Sequence, residues 1–442
     1  MDNNILDQMR SVIGSLRSVH TVGRVVGVSG GTVQFVCGSG GTRVGDRATV
    51  IAAGQKHKGE VVRLDPGAIH LLIEGQTDGI SLNDRVVLDP PRKFAPDQSW
   101  IGRVIDPDGK PLDGRPLLPG PDARILVAVP PAPHARRGMG KRLETGLAVL
   151  NTLLPLVQGQ RIGLFAGSGV GKSTLLADLA KGVTADVIVI ALVGERGREV
   201  RHFVETVLGA EGMQRAVVVA ATSDRAPQVR KRCALAATAV AEHFRDAGKQ
   251  VLLLIDSVTR FCDAHRELAV ASGESANLRG YPASTAPAIA SLCERSGTGA
   301  GSMGDITAIF SVLVAGSDME EPVADMLRGL LDGHIVLDRE IAERGRFPAI
   351  DVVRSVSRSL PDAASKQENA MIAQARTLLG TYARSELMIQ SGLYASGSDP
   401  RIDAAIHCAP ALEEFIAMKD SRGTLAHFAK LRQAIASGPS QI

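Results

Sequence analysis

Apolar residues recur along this chain with different periods, and the periods divide it into regions. Over the first twenty residues Ile5, Leu6, Met9, Val12, Ile13 and Leu16 fall at helical spacing, with Asp7, Arg10 and Arg17 between them. That predicts an amphipathic helix. From Val22 to Asp89 the apolar positions come instead in short β-branched runs cut by glycine: GRVVGV, GTVQFV, RATVIAA, KGEVVRL, AIHLLIE and DRVVLD. Several short strands at regular spacing, with turn residues between them, predict a small closed β-barrel.

A Pro-rich passage follows, from Asp89-Pro90-Pro91 through Pro107, Pro111, Pro116, Pro119 and Pro121 to Pro130-Pro131, and reads as an ordered connection. The runs RIGLFA, DVIVIALVG, RAVVVAAT, QVLLLID and ITAIFSVLVAG are then separated by helix-length stretches. Strands apolar on both faces and alternating with helices predict a buried parallel sheet. After about Leu360 the strands stop, and Met371, Ile372, Leu378, Leu379, Leu387, Met388 and Ile389 return to helical spacing. The expected organisation is a helix over 1–20, a barrel over 21–92, an α/β core over 93–359 and a helical domain over 360–442.

Composition adjusts this picture only at its edges. An apolar fraction of 44% excludes a mostly disordered chain, and one Trp, three Tyr and ten Phe leave the cores to Leu, Ile, Val and Ala. A formal net charge of +3 argues against a dedicated nucleic-acid binder or a strongly membrane-attracted surface. Five scattered cysteines, Cys37, Cys233, Cys262, Cys293 and Cys408, read as buried thiols in a reducing compartment. The N-terminus lacks the order of a signal peptide, and no apolar run reaches the roughly 20 residues of a membrane span. A cytoplasmic protein is expected.

The chemistry concentrates in three places. Ala166-Gly167-Ser168-Gly169-Val170-Gly171-Lys172-Ser173-Thr174 follows a predicted strand and opens a predicted helix. Glycines let backbone N–H groups cradle phosphate oxygens, and the helix N-terminus adds its positive dipole end. Lys172, expected to face solvent, can reach β- and γ-phosphates, and the Ser173 hydroxyl can ligate Mg²⁺. Ala166 stands where the general motif has Gly. The strand Val251–Asp256 ends in a carboxylate, placed to hold Mg²⁺ through water if it lies beside the phosphate loop. A third strand ends in Gly194-Glu195-Arg196-Gly197-Arg198-Glu199, where a carboxylate can polarise the attacking water. The alternative there is a solvated charged turn.

Residues 143–358 resemble the catalytic core shared by rotary ATP synthase subunits and type III secretion ATPases. The resemblance rests on FAGSGVGKST, VGERGREV, LLLIDSVTRF, RGYPAS, DMEEPVAD, LDGHIVLDR and RFPAIDVVRSVSR, in the family's order. It implies a RecA-like core working as an ATPase with Mg²⁺. It puts the catalytic glutamate on Glu195, with Arg196 and Glu199 (through water) organising the phosphate and metal shell and Arg260 supporting the cluster. It puts the adenine-stacking aromatic on Phe347, for which a core position is the alternative, and the arginine finger for a neighbouring subunit on Arg358. Gly280-Tyr281-Pro282-Ala283 lacks the second Pro usual in relatives, which leaves the stiffness of that loop open.

Glu195 and Arg358 in one chain resemble the catalytic and non-catalytic synthase subunits combined. That implies a homohexameric ring with a site at every interface, as in export ATPases. Within that group the chain looks most like the flagellar export form, the virulence form being the alternative. The resemblance implies further partners: a negative regulator on the N-terminal helix, for which packing on its own barrel is the alternative, a central stalk protein, an export gate at the inner membrane, and export chaperones and substrates. An RNA translocase would need aromatic platforms on its barrel, and the barrel segment has little beyond Phe35. No nucleic-acid partner is expected.

Overall fold

A computed structural model describes residues 19–38, 41–90, 93–314 and 319–436, with the single position 13. The predicted N-terminal helix falls almost wholly outside the described residues.

The β-branched runs between Val22 and Leu88 form six strands: β1 (Val22–Ser29), β2 (Thr32–Cys37), β3 (Arg47–Ala52), β4 (Gln55–Asp65), β5 (Ala68–Ile73) and β6 (Arg85–Leu88). They close in the order β1-β2-β5-β4-β3-β6, every neighbour antiparallel. Closure leaves no unpaired edge. The β1–β2 turn is Gly30-Gly31, both at positive φ, which a two-residue hairpin turn of this hand needs. Val25, Val33, Phe35, Val50, Val61, Leu71 and Val86 fill the interior. Phe35 is fully buried, so it offers no stacking surface.

The core is an eight-stranded sheet in the order β16-β15-β8-β14-β11-β9-β10-β7. Its strands are β7 (Arg103–Ile105), β8 (Arg161–Ala166), β9 (Val187–Glu195), β10 (Ala216–Thr222), β11 (Val251–Asp256), β14 (Ile306–Leu313), β15 (Gly333–Leu337) and β16 (Ile350–Ser357). A two-stranded piece, β12 (Ala276–Leu278) with β13 (Tyr281–Pro282), stands apart. All pairings in the large sheet are parallel except β15 with β16. Alternation on β9 explains why its run is wholly apolar. Ile188, Ile190 and Leu192 enter one core with the helix Lys172–Gly182, whereas Val187, Val189, Ala191 and Val193 enter the other with the helix Pro227–Asp246.

The sheet has three strands that the apolar runs did not announce. β7 lies inside the passage read as a connection and pairs with β10 at one edge. β15 is short, and β16 is an antiparallel edge strand with Val353 and Val356 exposed, so its pattern is mixed. The fold class is nevertheless the one expected, down to the C-terminal helices Lys366–Gln390, Pro400–Ala417 and Thr424–Ala436. The first is started by a capping box, Ser365 with Glu368, which satisfies two otherwise free backbone donors. Leu379, Leu412, Phe415 and Leu431 of this bundle join the core that holds Leu147–Leu154.

Candidate functional site

The phosphate-loop segment leaves the middle of the sheet. β8 lies between β14 and β15, and its last residue, Ala166, is buried. Gly169 and Gly171 hold φ values of +78° and +87°, a region that a side chain strains. Val170 is buried and pins the loop, while Ser168 and Gly169 stay exposed. The helix Lys172–Gly182 begins at once, with Leu175, Leu176 and Leu179 buried beneath it. Its first turn presents Ser173 and Thr174 to solvent. A Cβ added to Gly171 would stand 3.3 Å from two ring carbons of Phe347. Phe347 is therefore not a core aromatic: its ring lies at the end of the loop and is 48% exposed. The neighbouring Arg346 fixes this segment by donating to the Pro348 and Ile350 carbonyls at 3.1 and 2.9 Å. It also pairs with Glu413 of the C-terminal helices.

Two carboxylates close the other side. Asp256 ends β11 at 4% exposure, accepts a 2.6 Å hydrogen bond from Ser311 Oγ on β14 and pairs with Lys172 Nζ. The Lys172 side chain is consequently only 12% exposed, not the solvent-facing group expected. Glu195 ends β9 just after Gly194, whose φ is +69°, where the β9–β10 register slips at Ala221/Thr222. Such a bulge re-aims the side chain that follows it. Burial pushes the Glu195 pKa up to about 7, and Asp256 and a hydrogen bond with Glu199 add to the rise while Lys172 opposes it. The Arg196 side chain is exposed, 3.5 Å from Glu199. The Arg260 stem runs over Gly194, but its guanidinium leans to Asp263 at 3.9 Å.

These groups fit a cation carried in by phosphates. Among the described residues no cluster of three His, Cys, Asp or Glu could cage a metal. Crowded carboxylates beside an exposed serine hydroxyl instead suit a Mg²⁺ that keeps water and phosphate oxygens as ligands. Arg358 is elsewhere. Ser357 faces Gly333 across the β15–β16 pair, whereas Leu337 aligns with Ala166. Four residues of β15, or about 13 Å of strand, separate the two levels. Arg358 lies at the opposite end of the sheet from its own phosphate loop, exposed, its backbone N–H donating to the Asp332 carbonyl at 3.0 Å and its guanidinium to the Arg328 carbonyl at 3.3 Å.

Residues 146–357 match the ATP synthase alpha/beta family, nucleotide-binding domain, and residues 364–435 match the EscN-type C-terminal domain of type III secretion ATPases. A flagellum-specific ATP synthase of Caulobacter vibrioides is 41% identical over 94% of this chain and 96% of its own. The chain belongs to the ATP synthase alpha/beta family, in its flagellum-specific and type III secretion branch. It is an ATPase. A type 3 secretion system ATPase of Sinorhizobium fredii is 43% identical over 81% of this chain and 79% of its own. The assembled EscN of enteropathogenic E. coli superposes with a TM-score of 0.85 at 35% identity, covering 93% of this chain and all of that one. EscN has also been solved in complex with its central stalk EscO.

For an ATPase of this branch, sequence reasoning missed Ser311. The signal was there: a serine near the end of the otherwise mostly apolar run ITAIFSVL. It also missed Gly194, whose backbone aims Glu195. Of the five thiols, Cys233, Cys262, Cys293 and Cys408 are buried. Among the described residues no helix is long and apolar enough to cross a membrane.

Proposed function

We propose that this ATPase drives flagellar type III protein export as a homohexameric ring. Hydrolysis releases chaperones and feeds export substrates to a gate at the inner membrane, to which the cytoplasmic ring attaches peripherally. The observation that carries the reading is the separation of Arg358 from its own phosphate loop, while Lys172, Asp256 and Glu195 converge beside that loop. A ring of identical copies unites the two halves at each interface. The likeness to EscN supports a central stalk partner as well. The N-terminal segment is the docking site for a negative regulator.

In the reaction, backbone N–H groups of Gly167–Gly171 and the helix N-terminus cradle the phosphates. Lys172 leaves Asp256 for the β- and γ-oxygens, and Phe347 stacks on adenine. Ser173, with Asp256 and Glu199 through water, would hold Mg²⁺, which would neutralise phosphate charge. Glu195 accepts a proton as water oxygen bonds to the γ-phosphorus and the bond to the bridging oxygen breaks towards ADP. Arg358 of the adjacent copy stabilises the charge that develops. Arg196 and Arg260 stand at the rim to steady this cluster.

Mixing two inactive variants tests the reading. In rings of Lys172→Ala with Arg358→Ala chains, some interfaces pair an intact loop with an intact arginine, so part of the activity returns. An inactive mixture, in rings shown by native mass spectrometry to be mixed, defeats the trans arrangement. A deletion strain scored for swimming and for secretion of filament protein tests the flagellar role; normal swimming rejects it.

A further inference from the structure

The Phe347 ring is 48% exposed, so packing alone does not set its place; the loop that carries it must. Arg346 closes that loop. Its guanidinium reaches past Phe347 to the Pro348 and Ile350 carbonyls, at 3.1 and 2.9 Å, and ties the backbone on the far side of the ring to the residue before it.

The arginine is in turn held from the C-terminal helices. Its Nε sits against a carboxylate oxygen of Glu413, an ion pair without a directed hydrogen bond. Burial lowers the Arg346 pKa, and Glu413 is the largest influence opposing that fall. Two residues earlier, Arg344 donates to Glu386 at 2.6 Å. The two carboxylates stand on different helices, Glu386 on Lys366–Gln390 and Glu413 on Pro400–Ala417. Leu412 and Ile416, on either side of Glu413, are buried in the core and fix where its carboxylate starts from. An ion pair with one partner half open to solvent adds little stability. What this one adds is position.

We infer that Glu413 is a positioning residue for adenine: through Arg346 it fixes the loop that presents Phe347, with Glu386 and Arg344 as a second tie. The inference rests on Phe347 as the stacking residue. It also has a distinctive sign. Removing a carboxylate near a polyphosphate favours the anion by charge alone. Lost positioning instead weakens the ligand, and only a ligand that carries the base.

Calorimetry on the full chain with Mg²⁺ tests this by comparing ADP with inorganic pyrophosphate, which lacks the base. The Glu413 side chain is 50% exposed and glutamine has the same shape, so Glu413→Gln keeps the fold. It should weaken ADP about three- to tenfold, the scale of one aromatic stack, and leave pyrophosphate unmoved. In steady-state assays the KM for ATP should rise by a similar factor without a matching fall in kcat. Glu413→Asp, which keeps the carboxylate, should recover part of the affinity. Phe347→Ala should weaken ADP at least as much as Glu413→Gln does, again without touching pyrophosphate. If Phe347→Ala weakens ADP and Glu413→Gln does not, the positioning role is overturned and the stacking reading stands. If Phe347→Ala leaves ADP unmoved, both fall. Equal losses of ADP and pyrophosphate in Glu413→Gln also overturn the inference, because they mark a general disturbance of the site.

Discussion

Two buried charge clusters serve opposite ends. On the helix Pro227–Asp246, Glu242 takes two hydrogen bonds from Arg295, at 2.9 and 2.6 Å, with side chains 1% and 4% exposed. The remaining guanidinium edge reaches the Leu126 carbonyl at 2.6 Å. Charge and donors balance, and nothing is left over for a ligand. At the carboxyl ends of β9 and β11 the balance fails: one lysine serves Asp256, and Glu195 beside them is driven up to about 7. Burial alone does not distinguish a structural ion from a functional one. What distinguishes them is whether the cluster is complete without a guest.

The comparison breaks first at Lys172. Lys172→Ala is expected to abolish turnover in a colorimetric phosphate assay. It also strands the Asp256 carboxylate, so the nucleotide-free protein should melt lower while circular dichroism still reports the native fold. Wild-type-like hydrolysis removes the phosphate-loop assignment. Next comes Arg358→Ala, which should cut the maximal rate by about 10³ to 10⁵, or roughly 4–7 kcal/mol of transition-state stabilisation, with nucleotide affinity retained. A change below tenfold would exclude a finger.

The balanced cluster gives the contrasting result. Arg295→Leu leaves Glu242 buried and unpaired, which should cost about 3–5 kcal/mol of stability, read from urea unfolding. The activity of the remaining folded protein should be unchanged; a selective loss of turnover would mean that the pair serves the site.

The phosphate loop was legible because its chemistry is local: strand, glycines, lysine and helix are consecutive. Asp256 became legible only beside it, and Glu195 could not be separated from a charged turn until Gly194 and the β9–β10 bulge aimed it inward. β16 was hidden because an edge strand with one wet face keeps no apolar run. Lys172 was misjudged as exposed because its partner lies 84 residues away and no local pattern encodes that pairing.

Glu195→Gln is smaller in effect and separates chemistry from binding. Turnover should fall at least about a hundredfold, the lower end for a general base, while fluorescent-nucleotide affinity stays near normal. A second sign follows from the raised pKa. In the folded, nucleotide-free protein the carboxyl stays protonated up to about 7, whereas in the unfolded chain it ionises near its ordinary value. Its contribution to stability is thus present at low pH and lost as pH rises through 7. The glutamine variant carries no such loss, so its melting temperature should gain on wild type as pH climbs from 5 to 8. Parallel curves would show that Glu195 is not strained.

The smallest effect tests the least conspicuous group. Ser311 is fully buried on β14 and donates to the same Asp256 oxygen that Lys172 engages. In a site with excess negative charge, a neutral donor cannot correct the imbalance; it can only fix where the carboxylate points. Ser311→Ala removes a hydrogen bond to a charged group, worth about 1.5–3 kcal/mol, and part of that should appear as a lower melting temperature without nucleotide. Its effect on turnover should stay within about tenfold, or roughly 1.4 kcal/mol, because Asp256 remains charged and anchored by its strand. Ser311→Thr, which keeps the hydroxyl, should recover the rate if the neighbouring core accepts one methyl group. A loss above a hundredfold in the alanine variant would make Ser311 part of the reacting assembly, and the line drawn between balanced and unbalanced clusters would then have to include it.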